Sequence, residues 1–271
     1  MSSFWKDNHV KKFETLLALL KGMGSAVLAF SGGVDSSFLL KALKLSGIRF
    51  IAVTSVSETL PEEDLLTAKR LAEELEIKHI LIQGKELSDE EFIKNDRRRC
   101  FHCKSSLFKE LMEIKERDGY NFILDGSTLD DLSDYRPGLE AARMLGVRSP
   151  LMEAGLYKEE IRILSRELGL PTWNRPSSPC LSSRIPYGTR ITPERLKRIG
   201  EAERVLKALG FKVVRVRDYW PVAMIEIAEE EFMDILEKRD SIIRGVKSAG
   251  YTAVGFDLEG YRQGKLNEQG Y

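Results

Sequence analysis

Two rhythms alternate along the chain. Val10, Phe13, Leu16, Leu17 and Leu20 recur at helical spacing, and the run Ala26-Val27-Leu28-Ala29-Phe30 behind them has the length and continuity of a buried strand. Further short apolar runs at 48–56, 77–82 and 122–124 are separated by helical patterns at 61–75 and 104–115. Pro61 heads the first of these helices with Glu62, Glu63 and Asp64 behind it. Proline lacks the N–H that a first turn leaves unused, and acids favour the positive end of the helix dipole. Strands alternating with helices predict an α/β fold, a doubly wound, mostly parallel sheet covered on both faces. A helix over 157–168 is entered through Gly155. It keeps Ile161, Leu164 and Leu168 at core spacing and carries Lys158 near its start, within range of a phosphate ligand or simply in solvent.

The rhythm breaks after Gly169-Leu170-Pro171. Residues 172–190 hold Pro176, Pro179, Pro186 and Gly188 and fit neither helix nor strand, and a long irregular segment in a compact domain is usually functional. Beyond it come a helix at 193–209, alternating strand patterns at 212–216 and 222–227, a helix at 229–237 and a last strand at 251–256, a smaller α+β arrangement. At about 150 residues per domain, 271 residues suit two domains, expected at 1–190 and 191–271.

Composition narrows the class. With 42% hydrophobic and 31% charged residues and 9 prolines, the chain is neither collagen-like nor disordered. No apolar run approaches the ~18 residues of a membrane span, and the N-terminus lacks a signal-peptide core, so a cytoplasmic location without a membrane partner is expected. Lys+Arg and Asp+Glu both number 42, so no global positive field favours nucleic acid as a partner.

The first strand runs into Ser31-Gly32-Gly33-Val34-Asp35-Ser36-Ser37, which opens a helix. Its glycines expose backbone N–H groups to an anion at the positive helix end, and the hydroxyls of Ser31, Ser36 and Ser37 add donors. It lacks the lysine of the Walker loop and the Gly-x-Gly-x-x-Gly spacing of dinucleotide sites. Asp35 would repel a phosphate unless it caps the helix or contacts magnesium. Downstream, Asp125-Gly126-Ser127-Thr128 ends a strand and Asp130-Asp131 follows, at the edge where α/β sheets bind ligands; a solvated acidic turn is the plainer alternative. The SGGxDS string is similar to the signature of PP-loop ATP pyrophosphatases. That resemblance implies that a substrate oxygen attacks the α-phosphate of ATP, pyrophosphate departs, and a nucleophile then displaces AMP.

Three cysteines, an odd number, suit a disulfide framework poorly, and two of them in one CxxC suggest metal or redox chemistry. Cys100 and Cys103 flank Phe101-His102 beside Arg97, Arg98, Arg99 and Lys104, a setting that favours thiolates, and Cys180 lies in the irregular segment. A closed zinc site would need a histidine as fourth ligand, with His102 too near in the motif and His79 at a strand edge. Three thiolates suit a [4Fe-4S] cluster with one open iron, and three unrelated thiols are the plain alternative.

Over nearly the whole chain, the strings Ser31–Ser37, 100–108, 125–131, Asp134-Tyr135-Arg136-Pro137-Gly138-Leu139, Ser149-Pro150-Leu151 and Pro179-Cys180-Leu181-Ser182-Ser183-Arg184-Ile185-Pro186-Tyr187-Gly188 resemble the LarE family. The resemblance implies an ATP- and Mg2+-dependent sulfurtransferase that makes the nickel-pincer nucleotide. Its small-molecule substrate is a pyridinium biscarboxylic acid mononucleotide whose carboxylates become thiocarboxylates through acyl-adenylates. It also implies a homo-oligomer and a sulfide source. Sulfur comes in one form of the family from the cysteine matching Cys180, which is consumed. In the other, the cysteines matching Cys100, Cys103 and Cys180 hold a [4Fe-4S] cluster carrying an extra sulfide; all three are present, so the cluster form is expected. Arg215 and Arg217, two apart on a strand, point to one face and suit the mononucleotide phosphate, with Arg136 and Arg184 as further substrate contacts; a solvated position is the alternative for all four. Glu203 and Glu226 are candidates for a metal that aids substrate binding, with surface ion pairs as the plainer expectation. Met224, Trp173, Tyr187 and Trp220 are read as packing rather than base stacking.

Three other functions share features with this reading. A tRNA thiolase of the PP-loop class also pairs an adenylating loop with a CxxC element and a later cysteine, but zero net charge argues against it. An ammonia-using amide synthetase leaves the cysteines unexplained. So does a regulator that holds ATP without turnover.

Overall fold

The computed structural model describes residues 3–133, 136–262 and 264–265, with backbone alone at 3–7 and 133. Asp134 and Tyr135 of the Asp-Tyr-Arg-Pro-Gly string therefore lie outside the described residues. In chain order the helices and strands are α1 (Ser3–Met23), β1 (Ser25–Ala29), α2 (Val34–Ser46), β2 (Arg49–Val56), α3 (Glu62–Glu74), β3 (His79–Gln83), α4 (Glu90–Ile93), α5 (Arg99–Asp118), β4 (Phe122–Leu124), α6 (Pro137–Met144), α7 (Pro150–Glu153), α8 (Lys158–Glu167), α9 (Pro193–Ala208), β5 (Val214–Tyr219), β6 (Val222–Ile227), α10 (Phe232–Glu237), α11 (Arg239–Ser248) and β7 (Ala253–Phe256). They form two compact units. The first comprises Met1–Ser57, Glu62–Glu86 and Arg98–Ser178, the second Glu58–Pro61, Leu87–Arg97 and Pro179–Tyr271.

The first unit is an α/β domain around a parallel sheet in the order β3-β2-β1-β4. In the centre, Val27 lies opposite Ile51 and Ile123, and Leu28 opposite Ala52 and Leu124. Side chains alternate across the pleat. Ala26 and Leu28 join Leu16, Leu20, Phe38, Leu39, Ile161 and Leu164 in one core, whereas Val27, Ile51, Val53 and Ile123 join Phe108, Leu111, Ile114 and Ala142 in another. A sheet buried on both faces explains the unbroken apolar runs, each fully buried aliphatic side chain contributing about 1.5–3 kcal/mol. Sheet order reverses at β1, so the carboxyl ends of β1 and β4 border the crevice where such folds bind ligands.

Three helices of this unit depart from the sequence pattern, among them the one-turn α7, which the sequence does not predict. α5 begins at Arg99, not at residue 104, which brings Cys100 and Cys103 into its first turn. α6 was not expected, because eight residues are too few to establish a periodicity; Pro137 opens it and Ala141 and Ala142 are buried.

The second unit holds the sheet β5-β6-β7, with β5 and β6 antiparallel and β7 parallel to β6. Val214, Val216, Ala223, Ile225 and Ile227 pack with Leu206, Ile242 and Val246 of α9 and α11. Arg215, Arg217 and Glu226 alternate with these and take the opposite face. α11 escaped the sequence reading because Gly245 interrupts its apolar face. A Cβ there would stand 2.3 Å from Val205 Cγ1, so glycine lets α11 close on α9. The expected helix at 229–237 divides into a 3-10 turn at Glu229–Glu231 and α10. Among the described residues no helix is long and apolar enough to cross a membrane.

Candidate active site

The loop between β1 and α2 is built by its glycines. Gly32 has φ +75, and a Cβ there would stand 2.5 Å from the Asp64 carbonyl oxygen, so both conformation and space require glycine. Gly33 is the extended N-cap of α2, and its N–H donates to Ser31 Oγ at 3.4 Å. Ser31 Oγ and Ser36 Oγ lie 3.1 Å apart, and Ser36 Oγ donates to the Gly33 carbonyl at 3.3 Å. Ser37 is fully buried, and its hydroxyl has no partner among the described residues. Asp35 is not the cap that was one of its two expected roles. It sits in the first turn, with Oδ2 3.4 Å from Lys158 Nζ of α8 and Oδ1 buried without a hydrogen-bond partner among the described residues. Burial pushes its carboxyl above the usual range, against the pull of Lys158.

The end of β4 closes the other side of this crevice. A Cβ on Gly126 would come within 3.0 Å of Ser36 N, so glycine lets the strand end lie against the start of α2. Asp125 accepts from Ser149 Oγ at 2.7 Å and Ser127 Oγ at 2.8 Å. Asp130 accepts the Lys158 N–H at 2.7 Å, and Asp131 accepts the Thr128 N–H at 2.9 Å. These acids thus order the turn and the start of α8, Asp125 from a buried position and Asp130 from an exposed one. Arg136 precedes α6 with its guanidinium 3.2 Å from Asp131.

Cys100 is exposed and Cys103 half-buried, three apart on one face of α5. Gly138 of α6 faces this turn. A Cβ there would meet Lys104 Cγ at 3.1 Å and the Cys100 carbonyl at 3.7 Å, so the glycine of the Asp-Tyr-Arg-Pro-Gly string allows α6 to lie against the cysteine turn. Cys180 belongs to the second unit and is half-buried; none of the three cysteines forms a disulfide. Among the described residues no group of three or more His, Cys, Asp or Glu side chains stands close enough to hold a metal ion.

The second unit gathers the predicted arginines and glutamates into one buried set. Cys180 precedes a short 3-10 turn, Leu181–Arg184, whose Arg184 is only 1% exposed. Arg184 grips Glu203 of α9 through two bonds of 2.8 and 2.9 Å and donates to the carbonyls of Pro179 at 2.6 Å and Cys180 at 3.1 Å. Glu203 also accepts the Val216 N–H at 3.0 Å, capping the open edge of β5. Arg217 forks onto Glu226 at 2.9 and 2.7 Å and donates to the Ser183 carbonyl at 2.7 Å. Arg215 lies over the Tyr261 ring, 4.9 Å from its centre, and donates to the Val214 carbonyl at 2.7 Å. The surface ion pairs expected of Glu203 and Glu226 are ion pairs, but buried ones, and the strand face of Arg215 and Arg217 is not solvated. Burial disfavours the Glu203 charge, yet the Arg184 guanidinium and the donated hydrogen bonds hold its carboxyl below the usual range.

Two residues of this framework escaped the sequence reading. Arg175 donates to the Gly32 carbonyl at 3.1 Å and to Asp64 Oδ1 at 2.9 Å. Asn95, at φ 60, donates its side-chain amide to the carbonyls of Pro186 and Thr189, both at 2.8 Å. Only tertiary contact reveals the first; the tolerance of asparagine for left-handed backbone is a weak signal for the second.

No family model matches the chain. An uncharacterised protein of Synechocystis sp. is 41% identical over 259 residues, 94% of this chain and 97% of its own. The pyridinium-3,5-bisthiocarboxylic acid mononucleotide synthase of Lactiplantibacillus plantarum is 38% identical over 262 residues, 95% of this chain and 94% of its own. The tRNA-specific 2-thiouridylase MnmA of Desulforamulus reducens is 25% identical over 193 residues, 56% of this chain and 53% of its own. A parallel sheet with a glycine-serine loop at its switch point, in a chain related to a thiouridylase, defines a member of the PP-loop ATP pyrophosphatase superfamily. Within that superfamily the chain belongs to the LarE family and is an ATP-dependent sulfurtransferase.

Proposed function

We propose that the protein adenylates the carboxylates of pyridinium-3,5-biscarboxylic acid mononucleotide and converts them to thiocarboxylates for the nickel-pincer nucleotide. The observation that carries this reading is the near full-length similarity to a synthase named for the bisthiocarboxylic acid product. Similarity to the thiouridylase covers about half of each chain, which favours the small-molecule substrate over tRNA.

In this reading the α2 amides and the hydroxyls of Ser31, Ser36 and Ser37 hold the ATP phosphates, where unpaired helix N–H groups and the dipole favour negative charge. The orphaned buried Asp35 oxygen fits a magnesium ion held by one carboxylate and the phosphates, and Lys158 offsets charge beside it. A substrate carboxylate oxygen attacks the α-phosphorus and pyrophosphate leaves; a sulfur nucleophile then adds at the acyl carbon and AMP departs with the attacking oxygen. Arg136, whose guanidinium is part-exposed, and Arg215 serve as substrate anchors, planar forks suited to phosphate and carboxylate, whereas Arg184 and Arg217 would reach a substrate only by releasing Glu203, Glu226 and the carbonyls they hold. Because Glu203 and Glu226 each engage a guanidinium through both oxygens, they would bind a metal only by releasing it.

Cys100, Cys103 and Cys180 have the donor chemistry for a [4Fe-4S] cluster with one open iron, since all three are outside disulfides and two share a helix turn. When bound, the cluster would supply a renewable sulfide. Mass spectrometry tests the function: purified protein with ATP, Mg2+, the biscarboxylic mononucleotide and sulfide is expected to replace oxygen by sulfur in both carboxylates. Unchanged substrate, with thiolation of bulk tRNA instead, would favour the thiouridylase reading.

A further inference from the structure

We propose that Arg175 is a positioning residue that sets which way the phosphate loop faces, and thereby tunes affinity for the pyrophosphate end of ATP. The inference rests on the assignment of the Ser31–Ser37 loop to ATP.

Arg175 is the link between three parts of the first unit. One guanidinium nitrogen donates to the Gly32 carbonyl at 3.1 Å, and the other to Asp64 Oδ1 at 2.9 Å. Asp64 is 4% exposed and lies in the first turn of α3, the same turn whose carbonyl leaves no room for a Cβ on Gly32. Arg175 is itself held from behind: Arg162 of α8 donates to the Arg175 carbonyl at 2.7 Å and to the Trp173 carbonyl at 2.8 Å. One turn before Arg162, α8 carries Lys158, which faces Asp35. The segment is thus fixed at its backbone by α8 and at its side chain by α3, with the phosphate loop between them.

The consequence follows from peptide geometry. In a trans peptide the C=O and the following N–H point in opposite directions. Arg175 holds the Gly32 carbonyl on its own side, so the Gly33 N–H turns to the Ser31 hydroxyl, inside the loop. A glycine pair is free to flip this peptide, and the flipped form would present a carbonyl oxygen to an anion. Arg175 selects the form that presents donors. It need not touch the nucleotide to do so.

Calorimetric titration of the full chain with ATP, inorganic pyrophosphate and AMP, without carboxylate substrate, tests the assignment. Arg175→Ala is expected to weaken ATP and pyrophosphate roughly tenfold or more, as loss of a charged hydrogen bond implies, with AMP nearly unchanged. Arg175→Lys should fall between, because an ammonium lacks the fork that bridges two acceptors. Asp64→Asn keeps the shape of the carboxylate, and it is expected to show the same selective loss to a smaller degree even if Arg175→Ala does not fold. Equal weakening of all three ligands, or none, overturns the proposal. Failure of the unmodified protein to bind ATP would overturn the nucleotide assignment itself, and this one with it.

Discussion

Gly32 shows how much of the phosphate loop depends on single residues. Its φ of +75 and the Asp64 carbonyl 2.5 Å from a built Cβ leave no room for alanine. Gly32→Ala is expected to cost about 1–3 kcal/mol and to abolish tight ATP binding, measured by urea unfolding and by nucleotide titration. Glu203 is the counterpart in the second unit. Its carboxyl is held below the usual range when folded, so its pairing with Arg184 contributes stability above the ordinary glutamate pKa, and that contribution is lost as pH falls through the folded value. Unfolding followed against pH should show a plateau above about pH 5 and a decline below it. Glu203→Gln leaves Arg184 buried without its counter-charge, so about 3–5 kcal/mol should be lost near neutrality and the acid decline should flatten. An unchanged acid limb would show that Glu203 does not set it. The sequence marks Gly32 as a loop glycine but not the Asp64 carbonyl that excludes a side chain there, and it gives no sign of the setting of Glu203. A lone glutamate on an amphipathic helix reads as a surface residue; the buried Arg184 fork and the open edge of β5 are what hold this one inside.

Among the elements, those with strong local signals were read correctly. The continuous apolar runs of β1 and β2 and the proline-acid start of α3 describe local chemistry, and these elements appear where the pattern places them. α4, α6 and α7 are too short to establish a periodicity, and Gly245 breaks the apolar face of α11, so the pattern does not predict them. The irregular segment is more ordered than its prolines suggest. Asn95 donates to the Pro186 and Thr189 carbonyls, the Gly188 N–H donates back to the Asn95 carbonyl at 3.0 Å, and the Leu181 N–H donates to the Thr59 carbonyl at 2.8 Å. Asn95→Ala would leave buried carbonyls without donors. Amide exchange over 180–191 is expected to quicken and global stability to drop by about 1–3 kcal/mol, with exchange across β1 and β2 unchanged. Uniform quickening over both units would show that this clasp is not local.

At the scale of the whole molecule, the residues proposed for the chemistry fall into two units that the chain crosses more than once. The phosphate loop, Lys158 and the Cys100–Cys103 turn lie in the first; Cys180, Arg184, Arg215 and Arg217 lie in the second. The sequence made the phosphate loop legible because strand, glycines and helix are contiguous. The arginine–glutamate set was only half legible, since spacing put Arg215 and Arg217 on one face but gave no hint that Arg184, Glu203 and Glu226 would be buried partners. For the thiols, iron and acid-labile sulfide per chain after anaerobic reconstitution are expected at about four each or slightly more sulfide, and lost in Cys100→Ala. Iron-free protein in which Cys180 becomes dehydroalanine in step with product would instead make Cys180 the consumed donor. The central claim is carboxylate activation by adenylation. It is tested most directly with substrate carrying oxygen-18 in its carboxylates: each thiocarboxylate formed should leave one labelled oxygen in AMP. Unlabelled AMP, or ADP as the nucleotide product, would contradict the account.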